Sequence, residues 1–317
     1  MSSSFETVSS IEDLFSTLSL SELQMNMATQ PNLRERVHRF LRFRRDEAVQ
    51  RFFTNVDGFW AMLTEVEGVI SGSSALRFVL PRWTTGWNPK DLDIYIPCER
   101  KSPVVAFLTT QGYDIISASA DSYGELEEQA ISQIIHMRNV EKCIDIIESC
   151  SDSSIAPILR FHSTPVMNFF TADACFSAYP NLTTHYSAMI NGGCLAGHRD
   201  RLVRCWKKYE ERGYRYDDVS RRTVTQEWGL AVGVFGSALS GQRHFCREDF
   251  DCPHTIRATD DAGCLRVFFG EEVDENHRQH RSVLSDVLFW HLGGVPCGGG
   301  RYGTLRPFAS VTNTSVS

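Results

Sequence analysis

The stretch Val69-Ile70-Ser71-Gly72-Ser73-Ser74-Ala75-Leu76, followed by Asp91-Leu92-Asp93-Ile94-Tyr95-Ile96, decides the fold. Together these segments set a turn of small residues beside two carboxylates. Side chains alternate between the faces of a strand, so Leu92, Ile94 and Ile96 can enter a core while Asp91 and Asp93 share the opposite, solvent face. Two carboxylates held that close raise each other's pKa unless a cation lies between them, which makes Asp-x-Asp at the start of a strand a candidate clamp for a divalent metal.

A third acid stands at Asp145, within the apolar run Lys142-Cys143-Ile144-Asp145-Ile146-Ile147-Glu148. Residues Ile131 to Val140 and Lys142 to Ser149 read as two strands joined at Arg138-Asn139-Val140-Glu141, which places Asp145 in a neighbouring strand of the same sheet. Three carboxylates can then converge on one metal site. Each element alone is weak: Gly72-Ser73-Ser74 is also an ordinary strand-to-helix turn with a serine cap. Their order along the chain, each on a strand or turn, is the stronger signal.

This constellation resembles the nucleotidyltransferase-fold superfamily, whose pattern is a hydrophobic strand, Gly-Ser, a helix, a strand with Asp-x-Asp and a later strand bearing a third acid. The matching positions are Gly72, Ser73, Asp91, Asp93 and Asp145. The resemblance implies that Gly72, Ser73 and Ser74 cradle a nucleoside triphosphate. It also implies that Asp91, Asp93 and Asp145 bind Mg2+ or Mn2+, which activates an attacking hydroxyl and stabilises the leaving pyrophosphate. The segment between Ser74 and Asp91, with Pro81, Trp83, Thr84, Thr85, Gly86, Trp87 and Pro89, is longer than the family's usual connection and adds a loop over the site. A closer resemblance is to fungal proteins in which an F-box-like helical segment precedes Ser-Gly-Ser-x-Ala-Leu, Trp-x-x-x-Asp-Leu-Asp-Ile-Tyr and Phe-His-Ser-Thr. Those motifs stand here at Ser71 to Leu76, Trp87 to Tyr95 and Phe161 to Thr164. The likeness extends over roughly residues 10 to 195.

With 317 residues, 42% of them hydrophobic and 22% charged, the chain can bury a sizeable core in two or three packed units. A net charge of −7 argues against a broad grip on nucleic acid, though it leaves room for a local basic groove. No apolar run reaches membrane-spanning length, and Met1-Ser2-Ser3-Ser4-Phe5-Glu6 lacks the basic start and apolar stretch of a secretory signal. The expected location is therefore intracellular, cytoplasmic or nuclear. The ten cysteines are scattered rather than framed like a disulfide scaffold, so most are expected to be free thiols in the core, Cys143 and Cys175 among them.

The first 65 residues are helical in pattern: Ile11, Leu14, Phe15, Leu18, Leu20 and Leu23 recur at helical intervals, Ser9 or Ser10 and Ser19 or Ser21 serve as caps, and Pro31 ends the second segment. From Leu33 to Phe53, Val37, Phe40, Leu41, Phe43, Val49 and Phe52 form one stripe, and the arginines between them read as a solvated basic face. The F-box resemblance instead makes these helices a docking surface for a ubiquitin-ligase adaptor, although the usual leading Leu-Pro is missing. Beyond Asp93, residues Ser102 to Gly112 read as a helix and Tyr113 to Ser117 as a strand. His162 is either a hydrogen-bonded structural residue or a nucleotide contact. Tyr179 to Thr183 reads as a turn.

Gly197 to Gly213 reads as a helix on which Arg199, Arg201, Arg204, Lys207 and Lys208 accompany Trp206 and Tyr209, either a solvated face or a surface for phosphates and a stacked base. Arg221 to Val234 reads as a further helix, with Gly236, Gly241 and Gly270 breaking the later chain into short elements. Cys246, Cys252, His254 and Cys264 are ligand types suited to zinc, but without a close Cys-x-x-Cys pair they read as buried thiols around a turn at Pro253. The end, Gly298 to Ser317, is expected to fray.

The expected architecture is α+β: an F-box-like helical segment over residues 1–54, a nucleotidyltransferase-like mixed sheet with flanking helices over 55–195, and a helical or irregular region over 196–317. The expected activity is metal-dependent transfer of a nucleotidyl group from a nucleoside triphosphate to a hydroxyl acceptor. The alternative is an interaction protein that uses the same domain as a scaffold.

Overall fold

A computed structural model describes residues 11–82, 86–119, 130–196, 199–228, 249–270 and 282–294. The expected caps Ser9 and Ser10, the loop positions Trp83, Thr84 and Thr85, the breaks at Gly236 and Gly241, Cys246 and the tail from Gly298 lie outside these residues.

The N-terminal part forms the helices α1 (Ile11–Thr17), α2 (Leu20–Thr29), α3 (Arg34–Gln50) and α4 (Val56–Glu65). Ser19 starts α2 with a full capping box: its side chain accepts the Glu22 amide while the Glu22 carboxylate accepts the Ser19 amide at 2.7 Å. Pro31 follows the end of α2, as its missing amide hydrogen dictates.

The chain then runs through β1 (Val69–Ser71), α5 (Gly72–Val79), β2 (Asp91–Ile96), α6 (Lys101–Thr110), β3 (Asp114–Ser119), β4 (Ile131–Asn139), β5 (Lys142–Ser149), β6 (Asn168–Phe170) and β7 (Ala174–Ser177). After β7 come the short helix α7 (Pro180–Thr184), β8 (Ser187–Ala188), α8 (Arg199–Glu211), β9 (Arg215–Tyr216), α9 (Asp218–Trp228), β10 (Arg257–Ala258), β11 (Leu265–Phe268) and β12 (Phe289–Trp290). Among the described residues the main sheet has eight strands in the order β11-β7-β6-β1-β2-β5-β4-β3. Only the β2–β5 pair is parallel; its neighbours run antiparallel, so the sheet is mixed and flanked by helices.

Both faces of the sheet are covered at its central strands, while the edge strand β3 is exposed. Leu92, Ile94, Ile96, Ile144 and Ile146 pack with residues of α1 to α4 and α6 into one core. On the other face Val69, Tyr95, Ile147, Phe169 and Phe176 pack beneath segments around residues 155–190 and 284–292. Alternation puts Tyr95 on the same face as Asp91 and Asp93. The acids therefore occupy one end of a largely buried face, which corrects the expectation that this face is turned to solvent.

Three further expectations change. In α3 the apolar stripe holds except at Phe43, which is exposed, and the arginine face is not all solvated, because Arg44 is buried. Cys143 is exposed, whereas Cys175 is buried as expected. The C-terminal region is not merely helical or irregular: β11 pairs with β7 over four residues and forms an edge of the main sheet. The N-terminal helices are tied to that edge, as Gln24 donates to the Arg266 carbonyl and Arg42 to the Phe269 carbonyl. No described helix is long and apolar enough to cross a membrane.

Candidate active site

Strand register fixes which polar groups meet. Ser71 in β1 pairs with Asp93 in β2, Asp93 with Asp145 in β5, and Asp145 with His136 in β4. Paired residues point to the same side of a sheet, so these four form one row across it, with Asp91 two residues along β2 on the same face. All three sequence-predicted acids are thus brought to one sheet face.

The turn between β1 and α5 completes the arrangement. Gly72 adopts φ +63°, a left-handed conformation natural to glycine. A Cβ there would stand 1.9 Å from Asp93 Oδ2, so any larger residue strains the backbone and displaces the carboxylate. Ser73 and Ser74 face different surroundings. Ser73 Oγ accepts from Arg212 Nη1 at 3.1 Å, and Ser74 Oγ donates to the Asp91 carbonyl at 3.3 Å. Neither caps the helix. The residue before α5 is Ser71, whose hydroxyl instead donates to the Asn168 carbonyl.

Burial and like charge act on the acids in the same direction. Loss of solvent, with Asp91 and Asp145 nearby, pushes Asp93 up to about 8, against a smaller opposing pull from Lys208. Burial also raises Asp145, while a 2.7 Å hydrogen bond from His136 Nδ1 lowers it in part. Carboxylates arranged this way offer the oxygen donors that a hard divalent ion takes.

Among the described residues no three His, Cys, Asp or Glu side chains form a ready-made metal cage. Magnesium does not need one, since it usually takes one or two carboxylates and fills its octahedron with water and substrate phosphate oxygens. Asp91 and Asp93 offer the hard oxygen donors that Mg2+ or Mn2+ takes.

An open cleft of about 580 Å³ reaches Asp91, with Ser73, Trp87, Lys90, Lys208 and Arg212 also among its walls, while Asp93 and Asp145 are not part of its lining. That size suits a small-molecule ligand. The long segment after α5 contributes Trp87 and Lys90, as its length suggested, while α8 and the turn after it contribute Lys208 and Arg212. Arg212 stacks over the Trp87 ring at 3.9 Å, a cation–π contact that fixes the guanidinium at the cleft.

Other candidates are placed elsewhere. His162 is buried outside the residues that line the cleft, with Nδ1 2.8 Å from the Ser163 hydroxyl. Burial first, then Lys208 and Arg201, hold it down to about 3, so its imidazole is neutral near pH 7. Trp206 is fully buried and stacks on Trp228, so it offers no open face to a base. Cys264 Sγ lies 3.4 Å from the Ala258 carbonyl and 3.3 Å from Arg257 Nη2.

Two residues join the site without a signal of their own in the motifs. His136 could have been found by counting outward from the turn of the β4–β5 hairpin, which sets it opposite Asp145. Arg212 lies four residues after Lys208, the spacing of one helix face, but nothing local points that face at Ser73.

Comparison with known proteins identifies no relative: no family model, no curated protein and no solved structure matches this chain.

Proposed function

We propose that the chain is a nucleotidyltransferase-like enzyme that moves a nucleotidyl group from a nucleoside triphosphate to a hydroxyl acceptor. The observation that carries the reading is the row Asp93–Asp145–His136, with Asp91 beside it, against a turn whose glycine lets the backbone close on Asp93. Asp91, beside this row, lines a cleft that Lys208 and Arg212 also line.

Each group has a part in the chemistry. Lys208 and Arg212 offer positive charge and directed donors to triphosphate oxygens, and Ser73 is held in place by Arg212. Asp91 and Asp93 would hold Mg2+ or Mn2+, which when bound supplies charge neutralisation of the triphosphate and polarisation of the attacking hydroxyl. Asp145, hydrogen-bonded to His136, would help hold a metal ion and orient the acceptor, and its raised pKa would suit it to take the acceptor's proton. The acceptor oxygen then bonds to the α-phosphorus as the bond to the bridging oxygen breaks and pyrophosphate departs. Most of the rate comes from in-line positioning and charge stabilisation.

Support for the adaptor-docking alternative is weaker, because the buried residues of α1 to α3 pack into the core beneath the sheet. Titration calorimetry with ATP, GTP, CTP and UTP, each with magnesium and with manganese, tests the proposal. At least one should bind in a metal-dependent way and Asp93→Asn should weaken it at least tenfold; absence of binding under every condition rejects the enzyme.

A further inference from the structure

A second, smaller cavity of about 250 Å³ opens on the other side of the glycine turn, lined by Arg44, Glu47, Arg51, Arg77, Arg82 and Asn88 among others. Four guanidinium groups face one carboxylate there, in a chain whose net charge is −7. Such a concentration of one sign is costly unless something answers it.

The arginines are held in place by the fold rather than gathered loosely at the surface. Arg44 is only 5% exposed. Its Nη2 donates to the Phe78 and Leu80 carbonyls at 2.8 and 3.1 Å, and its guanidinium lies 5.1 Å over the Phe78 ring. Its Nη1 is enclosed with no hydrogen-bond partner among the described residues, an arrangement that costs free energy in the empty protein. Arg77 is positioned by donation to the Arg82 carbonyl at 2.7 Å, and Arg82 pairs with Glu47. Glu47 can offset only one of the four charges.

Position relative to the acids assigns the pocket a role. It shares Asn88 with the larger cleft, and Ser73 lines one cavity while Ser74 lines the other. Arg51 lies within electrostatic reach of Asp91. The two cavities therefore flank the start of α5, one walled by Asp91, Lys208 and Arg212, the other by arginines of α3, α5 and the residues just after each.

Resting on the proposed transferase reading, we propose that the arginine pocket is a subsite for a phosphate group of the second reactant, so that the hydroxyl acceptor is a phosphorylated molecule. A phosphate dianion offers several acceptor oxygens to guanidinium forks, which a neutral hydroxyl compound does not.

The test uses the full chain, with inorganic phosphate and ribose 5-phosphate as probes and ribose as the unphosphorylated control. Calorimetry is run with magnesium, before and after saturation with a non-hydrolysable triphosphate analogue, on wild type and on the double variant Arg77→Gln, Arg82→Gln. Melting curves establish that the variant is folded; if it is not, the single variant Arg82→Gln, at the more open rim, replaces it.

Both phosphate probes should bind the nucleotide-saturated protein, ribose should not, and the variant should lose at least tenfold in affinity for them while binding the triphosphate analogue within twofold of wild type. Competition between the analogue and phosphate overturns the proposal by making the pocket part of the donor site. Unchanged phosphate binding in the variant overturns it too, as does a failure of either probe to bind. Arginine-dependent phosphate binding in a protein that binds no nucleotide would sustain the phosphate subsite while rejecting the transferase.

Discussion

Asp93 is pulled in two directions, because its place in the sheet row makes it useful to a cation and its surroundings make its charge expensive. Its value near 8 in the folded chain lies above the ordinary 3.8, so between those values the folded state holds more protons than the unfolded one. The stability this group allows is fully present below about pH 4 and is lost as pH rises through 8. In chelator, urea melts of wild type should therefore weaken from pH 5 to 8, and Asp93→Asn should flatten that slope, gaining on the order of 1–2 kcal/mol at pH 8. Parallel pH profiles for the two proteins would assign Asp93 no such role. With magnesium the ordering reverses in function: Asp93→Asn should lower transfer ~100-fold or more, since charge stabilisation in the transition state is lost. Gly72→Ala tests the other half of the contact. The added methyl meets Asp93 Oδ2 and the backbone angle disfavours any side chain, so a loss of about 1–3 kcal/mol is expected, together with weaker nucleotide binding. An alanine variant that melts and binds like wild type would remove the turn from the site.

At the scale of elements, β2 shows why the site is readable from sequence. Its alternation of acid and aliphatic residues obeys the period of a strand, and Leu92 and Ile94 are fully buried. Leu92→Asp should consequently unfold the protein, as an unpaired charge enters the core, whereas Asp91→Asn, one position earlier and on the opposite face, should leave the melting temperature almost unmoved; circular dichroism melts distinguish them. The β4–β5 hairpin is equally legible, because a polar turn separates two apolar runs. The illegible parts are non-local. Nothing within Leu265-Arg266-Val267-Phe268 announces an edge strand whose partner lies some ninety residues earlier in the chain. Arg44 is hidden for a related reason: a helical wheel puts it on the apolar stripe, four residues after Phe40 and three after Leu41, but its charge reads as solvated, and only the packing of α3 against α5 supplies the Phe78 and Leu80 carbonyls that its guanidinium meets. The cleft wall is the third case, since Lys208 and Arg212 follow the acids by more than fifty residues and meet them only through tertiary structure.

At the scale of the whole molecule, boundaries drawn from motifs at residues 54 and 195 cut through shared cores. Val37, Phe40, Leu41, Val49, Phe52 and Phe53 belong to the same buried cluster as Leu92, Ile94, Ile144 and Ile146, and Leu265 and Val267 belong to it as well. Fully burying a large apolar side chain contributes about 1.5–3 kcal/mol, so losing the N-terminal six alone removes about as much as the 5–15 kcal/mol by which a typical protein is stable. The far side is similar. Leu76 of α5 and Leu80 just after it pack with Leu202, Trp206 and Tyr209 of α8, so the helix behind the glycine turn is itself supported by residues after 195. The expected outcome is that a fragment spanning residues 55–195, although it carries Gly72, Asp91, Asp93 and Asp145, shows no cooperative thermal transition and binds no triphosphate. A fragment spanning 55–317 should fail in the same way, through loss of the α1–α3 side of the core. Differential scanning calorimetry on the purified fragments, beside the full chain, makes the comparison. A sharp transition with metal-dependent nucleotide binding in the 55–195 fragment would show that the sheet carries its own stability. The flanking segments would then be attachments to a self-sufficient domain rather than the walls on which its acids and cleft depend.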